Sequence, residues 1–389
     1  MLSIKQAIKA LNERVFLLPI MELSIGEVLD NVLAEDVYSP INMPPFRQSA
    51  MDGYAVCMEN NQYAVIGEVK TGDQQDFSLE KGDAIRIFTG AMVPDQANAV
   101  VKQELVSRDE DLIDIEGPIK LGSNIRPMGE QIKKGELALK KGTKLNPAAI
   151  GFLATLGINK VTVFSKPRIT VLITGNELVE PGNILLPGQI FESNATMLIA
   201  ALEKVGYRDI RKLSIKDNFE ETKSSIHHAI DESDVVLITG GISVGDYDFV
   251  GKALDVLQVE KIFYKVKQKP GKPLYCGIKD NCMIFALPGN PAAALSCFYV
   301  YVLGIVRQMC GEGQQTVFKE QLALDRDVVN HSGRGLFLKA IKRGNKVEIL
   351  DSQSSAMLNT FALANVLVYI PSDKEFIYEG ELVNAIPIL

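Results

Sequence analysis

No apolar run in the sequence reaches the roughly 18 residues needed to cross a membrane. The nearest approach, Ala292–Val306, is interrupted by Ser296, Tyr299, Tyr301 and Gly304 and followed by Arg307, so a buried helix is expected there. The opening MLSIKQAIKALNER is amphipathic and has no signal-peptide core, which makes a cytoplasmic location the expectation. Cysteine is sparse: Cys57, Cys276, Cys282, Cys297 and Cys310 are odd in number, widely spaced and without a C-x-x-C pair. That excludes a disulfide framework and a zinc knuckle. With only three histidines, a histidine-rich metal site is also excluded. Two of them, His227 and His228, fall in EETKSSIHHAIDES and read as solvated helix residues. The formal net charge of −7 opposes broad nucleic-acid affinity, which needs a concentrated basic face. P-loop, GxGxxG and nucleophilic Ser–His signatures are missing as well.

What is present changes character along the 389 residues, and that length favours several domains. Residues 1 to about 43 read as helix, with Ile4, Ala7, Ile8 and Leu11 at helical spacing. From Pro44 to about Glu130, short strands such as YAVIGEV and DAIRIFTG alternate with TGD, KGD and VPDQ turns. Residues 131–167 hold a helix, NPAAIGFLATLGI, with Asn146 as its cap and Pro147 just inside. This segment is expected to rejoin the first, leaving 44–130 as an inserted β domain beside a discontinuous helical domain of 1–43 and 131–167. From 168 to 312, strands and helices alternate, which implies a doubly wound, mostly parallel α/β sheet. Residues 313–389 return to short strands and read as a C-terminal β domain.

Ligands of such sheets bind beyond the carboxyl ends of the strands. Three glycine-marked turns fall there: Thr174–Glu177, Thr239–Asp248 and Pro288–Pro291. Small residues let backbone approach a phosphate, and a helix N-terminus offers it N–H groups. These turns nominate Gly240, Gly241, Ser243, Gly245, Pro288, Gly289, Asn290 and Pro291. Carboxylates cluster at the same edge, namely Glu177, Asp217, Asp246 and Asp248. Beside phosphates such a group suits Mg²⁺, although Asp217 could instead cap the helix that follows it. The run KVKQKPGKP supplies Lys265, Lys267, Lys269 and Lys272, the last two in a turn fixed by proline and glycine. A solvated strand face is the alternative. In the inserted domain, Asp52-Gly53 reads as a hairpin-type turn, and Thr89-Gly90 is ambiguous.

The blocks PPFRQSAMDGYAV, RIFTGAMVP, IRPMGEQIKKG, ITGNEL, TGGISVGDYDFV, KPGKP and LPGNPAAAL resemble, in order, the signatures of the molybdopterin molybdenumtransferase family. The resemblance runs from about Leu17 to the C-terminus. It implies a four-domain homodimer whose cleft lies between the molybdopterin-binding domain of one subunit and the inserted β domain of the other. It further implies that molybdate is inserted into adenylyl-molybdopterin with release of AMP, aided by Mg²⁺. The functional positions it carries over are Asp52, Thr89, Glu177, Asp217, Asp248, Lys265, Lys269, Pro288, Pro291 and Ser355. Asp217 and Asp248 would bind the cation. Gln131 stands where the family has Asp.

Molybdate is a dianion, and Arg334, between two glycines, and Ser354-Ser355 are its candidate ligands in the C-terminal domain. Alternatively, Arg334 is a solvated turn residue and the serines cap the next helix. The expected partners are adenylyl-molybdopterin and molybdate, with transient contact to the adenylyltransferase that makes the former, and neither nucleic acid nor membrane. A gephyrin-like scaffold is the competing reading. The retained carboxylates argue against it.

Overall fold

The computed structural model describes residues 1–59, 61–74, 77–242, 249–314 and 316–388. Its contacts divide the chain into two units. One comprises Met1–Met21, Asp30–Ala34 and Val163–Leu389, the other Glu22–Leu29 and Glu35–Thr162.

The first unit is organised by a six-stranded sheet in the order Ile210–Ile215, Ile169–Thr174, Val235–Thr239, Cys282–Leu287, Tyr275–Lys279, Glu260–Tyr264. The first four strands are mutually parallel; Tyr275–Lys279 runs antiparallel to them, and Glu260–Tyr264 pairs antiparallel with it in turn, so it points the same way as the first four. Successive side chains alternate between faces, so each strand serves two cores. Ile169, Val171, Ile173, Val235, Leu237, Met283, Phe285 and Leu287 pack with Leu198, Leu202 and Phe298 on one side. Leu172, Val236, Ile238, Ile284 and Ala286 pack with Ile226, Ile230 and Leu254 on the other.

The helix Pro291–Met309 starts with proline in its first turn and contains one π-helical segment, Phe298–Val302. By length and hydropathy it could cross a membrane, but 89% of its apolar window is buried within the protein. It is a core helix.

The C-terminal strands close on themselves. Gly335–Arg343 pairs with Lys346–Ile349 and with Val366–Ile370, and the ring runs on through Leu382–Pro387 and Glu320–Leu324. Closure leaves this small barrel without a free edge pair among those strands. One short strand of the preceding domain, Gln268–Lys269, adds in parallel to Gly335–Leu336.

The first helix spans only Ile4–Asn12, capped by Ser3 in a reciprocal box with Gln6, and it buries Ile4, Ala7 and Leu11. The helix expected over the first 43 residues therefore stops early. Leu18 precedes Pro19, which disfavours helical geometry, and its N–H goes to the Met309 carbonyl instead.

The second unit holds another six-stranded sheet, ordered Ala99–Lys102, Gly53–Val56, Asp83–Ile87, Gln62–Val69, Leu112–Ile115, Val106–Asp109. Outside that sheet, Val37–Tyr38 pairs with Leu137–Leu139 and Met43 bridges Ile132. The helix Pro147–Thr155 is capped by Asn146, whose Oδ1 accepts from the Ala149 N–H.

Asp52-Gly53 is not a hairpin turn. Gly53 opens a strand flanked on both sides, and a Cβ there would lie 1.9 Å from the Val101 carbonyl oxygen. Glycine is demanded by close strand approach rather than by turn geometry.

Phe285 is fully buried at the centre of the parallel sheet. Phe285→Ala should lower unfolding stability by about 3–5 kcal/mol, read from the urea midpoint. A loss below about 1 kcal/mol would contradict the packing described.

Candidate functional site

The strands Ile169–Thr174, Val235–Thr239 and Cys282–Leu287 end at one edge, and their turns line a single cleft of about 1150 Å³. Gly175, Gly240 and Gly241 have positive φ. A Cβ on Gly240 would sit 2.5 Å from the Thr174 carbonyl oxygen, so the second turn can lie against the first only with glycine. The hydroxyls of Thr174 and Thr239 and the side-chain oxygen of Asn194 are buried at these strand ends without a hydrogen-bond partner among the described residues. All three residues line the cleft.

Asp217 is not the helix cap. Asn218 takes that role, its Oδ1 accepting from the Glu220 and Glu221 N–H groups. Asp217 instead exchanges two bonds with the first turn: its N–H donates to Asn176 Oδ1 and its Oδ2 accepts from the Asn176 N–H. That tie sets its carboxylate on the cleft together with Glu177. Among the described residues, no three His, Cys, Asp or Glu side chains converge in a metal-binding group. Two carboxylates still match the one or two that Mg²⁺ takes when phosphate and water complete its shell.

The third turn belongs to the same wall. Pro288, Gly289 and Asn290 line it, while Pro291 begins the helix behind and does not. Asn194 Nδ2 donates to the Gly289 carbonyl, and Asn290 Nδ2 donates to Ser355 Oγ at 2.8 Å. The Ser355 carbonyl accepts from the Ala293 N–H in the helix's first turn. The two serines therefore do not cap the helix that follows them. That helix has Met357 at its N-cap and no side-chain cap.

Lys269 and Lys272 line the cleft, but Lys265 does not; its ammonium stands 4.6 Å from the Tyr264 ring centre. The lysine turn is fixed from below by Gln268, which is fully buried. Gln268 Nε2 donates to the Gly271 carbonyl, and Tyr301 donates its hydroxyl to Gln268 Oε1. Gly271 has φ of 82°, and a Cβ there would meet Cys297 Sγ at 2.5 Å.

Arg334 lines the same cleft from the C-terminal barrel, as do Gln353, Ser354 and Ser355. It is half-buried rather than a solvated turn residue. Its loop is built by Asn330, whose Nδ2 donates to the Arg334 carbonyl, and by Ser332, whose Oγ accepts from the Arg334 N–H. The charged ends of Lys269, Lys272 and Arg334 carry no ion pair among the described residues. Ser243, Gly245, Asp246 and Asp248 lie outside the described residues.

In the second unit the other two expected residues meet one another. Asp52 Oδ1 accepts from both the backbone N–H and the hydroxyl of Thr89, each at 2.7 Å. The pairing of Gly53 with Ile87 fixes this. These two bonds, backbone first, hold the Asp52 pKa below the usual carboxylate value.

Gln268 and Asn194 are not among the sequence candidates, and Thr174, Asn176 and Thr239 enter there only as members of the glycine-marked turns. Gln268 lay inside the lysine run, where its burial could not be read. Asn194 reads in sequence only as the start of a helix, and Thr174, Asn176 and Thr239 as ordinary polar members of their turns.

Residues 2–157 match the MoeA N-terminal region (domain I and II), 170–308 a probable molybdopterin binding domain, and 321–388 the MoeA C-terminal region (domain IV). The chain belongs to the molybdopterin molybdenumtransferase family. The molybdopterin molybdenumtransferase of Staphylococcus epidermidis is 32% identical over 398 aligned residues, covering 99% of this chain and 95% of the relative. That of Staphylococcus aureus is 31% identical with the same coverage. A solved molybdopterin biosynthesis MoeA protein from Pyrococcus horikoshii superposes with a TM-score of 0.85 at 33% identity, covering 100% of this chain and 99% of the other. As a molybdenumtransferase the chain serves molybdenum cofactor biosynthesis. Its cleft lies within the two matched segments, 170–308 and 321–388.

Thr89→Val removes one of the two bonds to Asp52 and should raise that carboxyl's pKa towards its ordinary value in an NMR titration. Because the folded pKa is depressed, Asp52 in the native protein stays ionised to lower pH than it would unfolded. An unchanged titration would mean that the hydroxyl does not hold the carboxylate.

Proposed function

We propose that the chain inserts molybdate into adenylyl-molybdopterin: water cleaves the phosphoanhydride and AMP leaves, while the two dithiolene sulfurs replace oxo groups of molybdate, which depart as water with protons from the thiols and solvent. The observation that carries this reading is the convergence on one cleft of the three strand-end turns, two carboxylates, two lysines and the Arg334–Ser355 pair. Backbone N–H groups and glycine turns suit the phosphates. Lys269 and Lys272 offset phosphate charge. Asp217 and Glu177, with Asp248 as a further expected ligand, would hold Mg²⁺, which when bound neutralises charge on the leaving phosphate. Arg334, Ser354 and Ser355 offer the guanidinium and hydroxyl donors that an oxyanion requires, and tungstate would satisfy them as well.

Asp52 and Thr89 belong to the second unit. Our reading brings them to the cleft of a second copy in a homodimer. We place the enzyme in the cytoplasm, where five free thiols are stable, and expect transient contact with the adenylyltransferase that supplies its substrate.

The direct test is AMP release from adenylyl-molybdopterin on addition of molybdate and Mg²⁺. Asp217→Asn should lower the rate at least about a hundredfold, since it removes charge with little change of shape, while the melting temperature stays near wild type. Mixing Asp52→Ala with Asp217→Ala subunits should restore part of the activity. A wild-type protein that releases no AMP would refute the activity. Inactive mixtures of subunits shown to exchange would refute the shared site.

A further inference from the structure

One charged side chain near the cleft is used by none of this chemistry. Lys339 lies on the barrel strand Gly335–Arg343 and is only 4% exposed. Lysine is rarely buried without an opposing charge, because desolvating an ammonium is costly. No carboxylate pairs with it among the described residues. Its Nζ donates to three backbone carbonyls instead: Ser352 at 3.0 Å, Met357 at 3.1 Å and Ser354 at 3.2 Å. Three acceptors match the three protons of an ammonium, one more than a neutral amine could satisfy. All three come from one loop. The Lys339 backbone grips that loop again, its N–H donating to Gln353 Oε1 and its carbonyl accepting from Gln353 Nε2. Ser352 sits at a positive φ of 59°, a conformation that a non-glycine residue keeps only when surrounding bonds hold it.

This loop is the one that carries Ser354 and Ser355 onto the cleft and docks Ser355 against Asn290 and the Ala293 N–H. We propose that Lys339 is a positioning residue for the oxyanion. Its ammonium folds the serine loop into the conformation that presents Ser354 and Ser355, and it places a buried positive charge behind them. A methionine would fill the same volume, so packing alone does not require lysine here. The inference rests on the reading that Arg334, Ser354 and Ser355 receive molybdate.

Calorimetric titration of the full chain with molybdate alone, alongside AMP-release kinetics, separates the two claims. Lys339→Met should weaken molybdate binding about tenfold or more, because it unties three bonds to the loop at once. The adenylyl-molybdopterin concentration for half-maximal rate should change less than about twofold, a split that general loosening of the fold would not produce. If Lys339→Met does not fold, Lys339→Arg reads the same split. It keeps the charge but replaces three tetrahedral donors with a planar fork, and a loss of about threefold or more in molybdate affinity is expected. Arg334→Ala is the control and should abolish molybdate binding. If Arg334→Ala weakens binding while the folded Lys339 variant binds as wild type does, the positioning role is wrong and the pocket stands. If Arg334→Ala changes nothing, the oxyanion pocket itself is misplaced and the role of Lys339 falls with it.

Discussion

The site depends on a very short piece of sheet. Gln268 pairs with Gly335 and Lys269 with Leu336, in parallel, and the Gly335 N–H donates to the Lys267 carbonyl. Among the described residues this is the only strand pairing between the lysine run and the barrel, and it fixes Arg334 one residue before the pairing begins. The same two residues, Gln268 and Lys269, are anchored beneath by the buried bonds of Gln268 to Gly271 and Tyr301. Cationic groups from two segments more than sixty positions apart are thereby set on one wall, with no ion pair among the described residues to neutralise them. The opposite wall is set by glycine. Only residues without a Cβ allow the Thr239–Ile242 turn to lie against Thr174, and the turn before Pro291 approaches the same backbone.

The electrostatics of this arrangement are local. A chain with net charge −7 repels anions at a distance, so an anionic substrate is drawn in only where cations converge and remain unpaired. Several other basic side chains of the same unit have acidic partners, among them Arg168 with Asp234, Lys212 with Glu180 and Glu192, and Arg326 with Asp351. Exposed pairs such as Arg326 with Asp351 add little to stability. They do cancel charge, and they leave Lys269, Lys272 and Arg334 as the basic groups that a ligand in the cleft would meet. The buried hydroxyls of Thr174 and Thr239 at the strand ends have no hydrogen-bond partner among the described residues, which leaves them open to a ligand.

Period and punctuation made much of the fold legible. Strands such as RITVLIT and MIFAL were readable because burial on both faces demands continuous apolar residues, and Asn146-Pro147 was readable as a helix start because capping is local. The first helix was overextended because Leu18 finds its partner at Met309, nearly three hundred residues away, and no local pattern encodes that. The same holds within the site. Glycine turns at strand ends mark a ligand edge, and Lys269 lines the cleft from a turn that proline and glycine fix. Lys265, two turns of alternation earlier, looked equivalent yet stands over Tyr264. Asp217 and Asn218 compete for one cap, and sequence alone could not show that asparagine takes it. Gln268 and Lys339 escaped notice because their importance lies in burial, which polar residues in strands do not advertise.

We propose one cleft, walled by the α/β domain and the C-terminal barrel, as the place where an oxyanion meets Arg334 and the Ser354–Ser355 loop. Anomalous diffraction from crystals soaked in tungstate, recorded at the tungsten absorption edge, tests it most directly. A peak is expected within hydrogen-bonding reach of the Arg334 guanidinium and at least one of Ser354 and Ser355, with Lys269 or Lys272 facing it. A peak confined to another part of the protein, with this wall empty at saturating tungstate, would contradict the proposal.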